Sequence, residues 1–312
     1  MSYHLKATES VPSGIKRIVR EEIDSAIGLL KGNAGGNKDE AIHETRKSVK
    51  KIRGALRLVS AELGDTYRLE NKELRSASLR LSELRNATAI IEVFDDLREK
   101  YRDELGRQTG TRIRQALVKR KHRVDREAHV EEAMSWVAAT LQAVGKRVKA
   151  WPLEADGFEA IRPGLKTAFR RARQSLAFAR KHRASEDFHE WRKCLKYHWY
   201  QVRLLERLWT DMMVAYEKSL KDVETWLGDD HNLVVLRDAL LTDPEFRGSD
   251  KEVDLCIPLI EKHQKLLRDS ALSQGERIYD QKPKQFAARM KHLWIAWQAE
   301  PKSVSKLQKK SA

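Results

Sequence analysis

The spacing of apolar residues along the chain is that of amphipathic helices. Apolar residues recur every three or four positions over most of the sequence, and no run alternates apolar and polar residues as a half-buried strand does. Segments with Gly, Asn or Pro interrupt the pattern. Between them the pattern predicts helices at about 13–31, 39–63, 66–101, 111–150 (one broken helix or two), 157–182, 185–209, 211–241, 251–281 and 284–298. The expected fold class is therefore all-α.

The second half of the sequence repeats the first at a constant offset of 146 residues. His43 aligns with His189, Arg46 aligns with Arg192, and the register holds without a gap over 43–94. Scattered identities arise easily in charged helical sequence, whereas a His-Glu-x-Arg-Lys-x-x-Lys cluster repeated in register does not. We therefore expect an internal duplication.

The repeat predicts how the chain is organised. We expect two four-helix-type bundles, related by a pseudo-twofold axis, that lie around a basic groove or pore. The predicted boundaries place the first bundle at 11–150, the second at 157–299, and a basic flexible tail at 300–312.

A basic stripe runs along the second predicted helix. At about 100° per residue, five basic side chains share one narrow sector, and the apolar sector of the same helix borders it. These five residues are His43, Arg46, Lys50, Arg53 and Arg57. Like charges four positions apart destabilise a helix. A bound anion would reduce the repulsion between the basic side chains of the stripe. At 1.5 Å per residue the stripe spans roughly 21 Å, which suits a linear polyanion better than a single phosphate.

The second half carries a matching stripe. It contains His189, Arg192, Lys196 and Arg203, with Trp199 at the position of Arg53. Four further basic residues lie beside the two stripes or on the following helices, and we include them in the expected binding set: Lys47, Lys193, Arg85 and His231. The following helix of the second half is less basic, because Glu224 stands at the position of Ser78.

The charge balance indicates the class of partner. The chain has 61 Lys and Arg against 46 Asp and Glu, a formal net charge of +15, which favours a polyanion such as polyphosphate, nucleic acid or an acidic membrane surface. No apolar run approaches the length of a membrane span, and residues 1–13 lack the apolar run of a signal peptide. With only Cys194 and Cys256, no disulfide framework is expected. We therefore expect a cytoplasmic protein with no membrane association.

These motifs resemble those of the CHAD family, the conserved-histidine alpha-helical domain. The resemblance rests on segment 43–53 and its repeat from His189, on segments 84–86 and 227–232, and on the C-terminal stretch 271–294. It implies two four-helix bundles around a basic groove, with polyphosphate binding, often at polyphosphate granules, and no catalysis. It also implies that the two stripes form the binding set. Trp199 and the asparagines Asn86 and Asn232 depart from the family pattern.

Two other functions would also be consistent with the net positive charge. A nucleic-acid-binding helical protein is the alternative, although the first stripe has no aromatic residue beside its basic side chains. An enzyme is the third: His43-Glu44 and His189-Glu190 do not continue as His-Glu-x-x-His, and segment 32–37 lacks the Gly-Lys-Ser/Thr ending of a P-loop. We expect no enzyme activity, no metal site and no cofactor.

Overall fold

The computed structural model describes residues 3–32, 37–246 and 250–300, and it is all helical over these residues, as predicted. Residues 301–312 of the expected tail lie outside the described residues. The helices are α1 (Val11–Gly32), α2 (Lys38–Leu58), α3 (Ser60–Leu63), α4 (Asp65–Arg80), α5 (Ser82–Lys100), α6 (Arg102–Leu105), α7 (Arg107–Glu127), α8 (Val130–Arg147), α9 (Gly157–His182), α10 (Ser185–Leu204), α11 (Thr210–Thr242), α12 (Asp250–Ile278) and α13 (Pro283–Ala299).

Local sequence sets the ends of α2, the helix that carries the first basic stripe. Asn37 caps its start, because the Asn37 side chain accepts hydrogen bonds from the backbone N–H groups of Asp39 and Glu40. Two acidic residues in the first turn and Arg57 in the last turn complement the helix dipole. The short α3 then ends at Gly64, whose φ of 51° lies in the left-handed region that glycine adopts readily.

Two predicted helices are divided in the structure. The expected helix at 39–63 is interrupted at Val59, between α2 and α3. The expected helix at 66–101 breaks at Leu81, which has φ −97° and ψ 2°, and α5 begins directly afterwards. No Gly or Pro stands at the break, where the Leu79 carbonyl accepts from the Leu81 backbone N–H and from the Ser82 hydroxyl. In the second half α11 continues without a break through the aligned position, Leu227.

Within the described residues, two groups of helices pack among themselves. In the first, α1 packs against α2 and α8, and α4 packs against α2 and α8. In the second, α9 packs against α10 and α13, while α10 also packs against α11. The two groups meet where α2 contacts α10 and α9. One apolar core runs through both groups, from Ile15 and Ile52 in the first to Trp191 and Phe286 in the second.

A second apolar core also combines both halves of the chain. It contains Ile90 and Phe94 from α5, Leu117 from α7, Leu236 from α11 and Ile260 from α12. Both cores therefore cross the boundary drawn at residues 150–157, and the division into two bundles stays a prediction. None of the helices in the described part of the chain combines the length and apolar character that a bilayer crossing requires.

Candidate polyanion-binding site

Helix α2 presents four basic side chains beside its buried face. Val49, Ile52 and Leu56 of that helix are fully buried in the core. The neighbouring basic side chains are partly buried beside this apolar face. We call these four residues the first row: Arg46, Lys50, Arg53 and Arg57.

Arg46 and Lys50 form the centre of the first row. The Arg46 guanidinium donates a 2.6 Å hydrogen bond to the Ser78 carbonyl oxygen, and its Nε is buried with no acceptor among the described residues. Lys50 has no hydrogen-bond or ion-pair partner within the part of the chain that the structure describes. Burial, together with the nearby Arg85 and Arg192, lowers the pKa of Arg46 to about 10. Two poorly compensated positive charges therefore lie side by side.

The two stripes converge. We call Arg192, Lys196 and Arg203 of α10 the second row. Burial lowers the pKa of Lys50 well below its usual value, and the positive charge of Lys196 adds to this effect. Arg192 is close enough to lower the pKa of both Arg46 and Lys50. Arg192 and Lys196 thus lie near the centre of the first row, where α2 packs against α10.

Arg53 and Arg57 extend the first row towards the second half of the chain. Arg53 Nε donates to the Asn71 side-chain oxygen at 3.1 Å. The Arg57 guanidinium lies over the Tyr197 ring of α10, 3.7 Å from its centroid, and donates to the Arg53 carbonyl at 3.1 Å. Within the described residues, no carboxylate forms an ion pair with any member of the first row. The row is therefore held by neutral groups and an aromatic face.

The second row differs because it contains a carboxylate. Glu224 of α11 is only 5% exposed, and its Oε1 accepts from Lys196 at 2.7 Å and from Arg192 at 3.3 Å. Burial alone would raise the pKa of Glu224, but Lys196 and Arg192 lower it below its usual range. Burial and Arg192 lower the pKa of Lys196 to about 8, despite the opposing effect of Glu224. The single Glu224 carboxylate therefore partly neutralises this part of the second row.

Arg203 lies apart from the other members of the second row. It forms an ion pair with Glu217 at 3.1 Å, and its guanidinium lies 5.4 Å from the ring centroids of Tyr3 and Trp199. Trp199 itself is buried and packs against Tyr200 with 4.8 Å between ring centroids. The residue that replaces Arg53 in the second half thus contributes to packing.

The predicted histidines lie at the ends of the rows. His43 lies near Arg85, and burial and that positive charge lower its pKa. Arg85 forms an ion pair with Glu92 at 2.7 Å. His189 and His231 pack with 4.2 Å between ring centroids, and burial and His189 lower the pKa of His231 to about 3. Burial therefore favours the neutral form of these histidines.

Lys47 and Lys193 lie at the margin of the rows. Lys47 forms an ion pair with Glu44 at 3.0 Å, one helical turn before it. Lys193 forms the same type of pair with Glu190. Both side chains are about half exposed. These two predicted residues are already paired with acidic neighbours of their own helices, unlike the first row.

The sequence pattern did not indicate three residues that shape this site. Asn71 and Tyr197 hold the arginines of the first row, and Glu217 neutralises Arg203. Tyr197 is adjacent to Lys196 in the sequence, but its contact is with the opposite half of the chain. These groups reach the rows only because other helices pack against α2 and α10. A helical wheel describes one helix at a time, so it does not indicate such contacts.

A family model described as the CHAD domain matches residues 17–241. The chain belongs to the CHAD family. Two solved structures share the CHAD fold of this chain at low sequence identity. PptA from Streptomyces chartreusis has a TM-score of 0.57 at 14% identity, and the match covers 88% of this chain and 100% of that one. The CHAD domain from the plant Ricinus communis has a TM-score of 0.56 at 16% identity, with 92% and 93% covered. The curated proteins gave no match.

Proposed function

We propose that this CHAD protein binds inorganic polyphosphate at the two rows and catalyses no reaction on it. The observation that carries the proposal is the first row, which has no carboxylate partner among the described residues although its side chains are partly buried. Burying a charge without a counter-charge costs stability, so the row is incomplete without an anion. A bound polyanion supplies that missing partner.

The arrangement favours a linear phosphate polymer over a single anion. The four residues of the first row follow successive turns of α2, so each contacts a different part of a chain laid along the helix. Guanidinium groups match phosphate oxygens with paired hydrogen bonds, and lysine adds a point charge. A single phosphate would satisfy only one or two of these cations. Membership of the CHAD family supports the same ligand.

We also propose that the rows line a groove between two bundles that arose by internal duplication. Supporting this, aligned residues face each other across the contact of α2 with α10: Arg46 lies near Arg192, and Lys50 lies near Lys196. The protein would then act in the cytoplasm, including at polyphosphate granules, where this polymer is concentrated.

The test is a titration of the purified protein with polyphosphates of increasing length, at two salt concentrations. We expect affinity to rise with length until the first row is filled and to fall steeply with salt, because each neutralised phosphate releases counterions. Chain length measured on a gel after incubation should not change. Shortening of the polymer would contradict binding without catalysis.

Nucleic acid is the competing ligand, and the same titration separates it. Single-stranded DNA and RNA of matched charge provide the comparison. The Arg57 guanidinium occupies one face of Tyr197, the aromatic side chain beside the first row, and so competes with a base for stacking there. We expect weaker binding of nucleic acid than of polyphosphate at equal charge. Equal or tighter binding of nucleic acid would overturn the polyphosphate assignment.

A further inference from the structure

The two rows differ by one carboxylate at a single aligned position. Ser78 of α4 and Glu224 of α11 are 146 residues apart, the offset that aligns Arg46 with Arg192 and Lys50 with Lys196. In the first half, Arg46 donates to the Ser78 backbone carbonyl at 2.6 Å. In the second half, Arg192 donates to the Glu224 side chain at 3.3 Å. The arginine of the first row is therefore bound by a neutral carbonyl, and the aligned arginine of the second row is bound by a carboxylate.

Glu224 is bound as an external anion would be. Its Oε1 accepts from Arg192 and Lys196, and its Oε2 accepts from Lys221 at 2.8 Å. Both oxygens thus hold charge-assisted hydrogen bonds to cations, the pattern expected of a phosphate group in a basic site. Gly228 lets Arg192 approach, since a Cβ on Gly228 would lie 3.1 Å from the Arg192 Nη2.

We propose that Glu224 is an internal competing anion that occupies the second row and thereby lowers the affinity of the protein for polyphosphate. This inference rests on the proposed function and concerns how the same site is tuned. A phosphate chain makes its tight contacts with the first row. It reaches Arg192 and Lys196 only by displacing the Glu224 carboxylate, which also repels phosphate across the site.

The alternative role for Glu224 is purely positional, and it has the opposite consequence. If the carboxylate serves only to hold Arg192 and Lys196 in place for the ligand, its removal weakens binding. If it competes with the ligand, its removal strengthens binding. Stability of the free protein falls in both cases, because three cations lose their partner.

The test compares three variants in polyphosphate titrations and in thermal unfolding without ligand. Glu224→Gln removes the competing charge, and we expect its affinity to rise about tenfold or more. Ser78→Glu places a carboxylate beside the first row, and we expect an affinity loss of similar size with no loss of melting temperature. The control is Asp222→Asn. It makes the same charge change on the same helix, but its side chain is 40% exposed and pairs with the exposed Lys218.

Each outcome decides the inference. Unchanged or weaker binding by a folded Glu224→Gln variant overturns it, as does a gain of equal size in Asp222→Asn, which would show a general charge effect. If Glu224→Gln does not fold, Ser78→Glu decides, and unchanged affinity in that variant overturns the competition. Failure of the wild-type protein to bind polyphosphate rejects the proposed function itself. Wild-type binding without an effect of either carboxylate rejects only the role of Glu224.

Discussion

Gly54 of α2 lies against Tyr200 of α10: a Cβ added to Gly54 would come within 2.8 Å of the Tyr200 Cβ. The two residues are 146 apart, so they occupy the same position in the two aligned segments. This close approach lies one turn beyond Lys50 and Lys196. It sets the separation of the helices that carry the two rows.

Gly54→Ala should therefore weaken both folding and binding. The added methyl group meets the side chain of a fully buried tyrosine, and overpacking of this kind costs about 1–3 kcal/mol. Moving the helices apart also separates the rows, so affinity for polyphosphate should fall. Thermal unfolding and titration measure the two effects.

The control for this variant is Gly28→Ala. Gly28 is inside α1, and a Cβ there would have no neighbour within 4 Å. Alanine in an open helical position should stabilise the protein by about 0.5–1 kcal/mol and leave binding unchanged. If Gly54→Ala behaved like Gly28→Ala, the helices would not be in the close contact described.

Lys50→Gln should weaken binding without harming the fold. Lys50 has no ion-pair partner among the described residues and lies near three other cations, Arg46, Arg192 and Lys196. Removing its charge relieves repulsion in the free protein, so the melting temperature should stay the same or rise. Affinity for polyphosphate should fall about tenfold. The slope of log affinity against log salt concentration should decrease in magnitude by about one, because one fewer counterion is released.

The matched change is Lys47→Gln, on the same helix. Lys47 is already paired with Glu44 and is about half exposed, so we expect only a small change in affinity. A loss at Lys47 equal to the loss at Lys50 would indicate binding governed by overall charge and not by the first row.

Binding should weaken as the pH rises above about 8. Burial and Arg192 lower the pKa of Lys196 to about 8, and a bound anion raises it again. The complex therefore binds more protons than the free protein above this pH, so the affinity for polyphosphate falls as the pH rises. Titrations between pH 7 and pH 9.5 measure the change. Affinity that rose over this range would contradict the prediction.

The same group gives the free protein an opposite pH dependence. Lys196 has a usual pKa of 10.5 and a lower one when folded, so the unfolded chain binds more protons between about pH 8 and pH 10.5. The contribution of this group to the free energy of unfolding therefore increases with pH across that window. Replacing both Lys50 and Lys196 by Arg should remove much of the pH dependence of binding, because arginine stays charged.

Tyr197→Leu should weaken binding through the orientation of Arg57. The Arg57 guanidinium lies 3.7 Å from the Tyr197 ring centroid, close enough for a cation–π interaction worth about 0.5–2 kcal/mol. Without the ring the guanidinium is no longer fixed, and affinity should fall about threefold to tenfold. Tyr197→Phe keeps the ring and should bind like the wild type. Equal binding by all three proteins would show that the contact is not used.

Much of the helical architecture could be predicted from apolar spacing. The predicted helix at 157–182 and the observed α9 have the same bounds, because Asp156 caps the start of that helix and Arg183 adopts the left-handed conformation at its end. The break at Leu81 could not be predicted, since no glycine or proline marks it. The aligned Leu227 continues its helix, so the apolar residue at this position does not mark the break either.

The candidate site was predictable only one helix at a time. Helical periodicity places Arg46, Lys50 and Arg57 on one side of α2, beside the core, and the structure has them there. Periodicity does not indicate which groups lie opposite. The Glu224 carboxylate reaches Lys196 from another helix, and Tyr197 reaches Arg57 from the other half of the chain. These contacts make the two rows unequal.

The central claim is that a phosphate chain lies along the first row. A crystal structure of the protein with a polyphosphate long enough to span α2 tests it most directly. We predict phosphate oxygens within about 3 Å of the charged groups of Arg46, Lys50, Arg53 and Arg57. A polymer bound elsewhere on the surface, with these four side chains contacting no phosphate, would contradict the account.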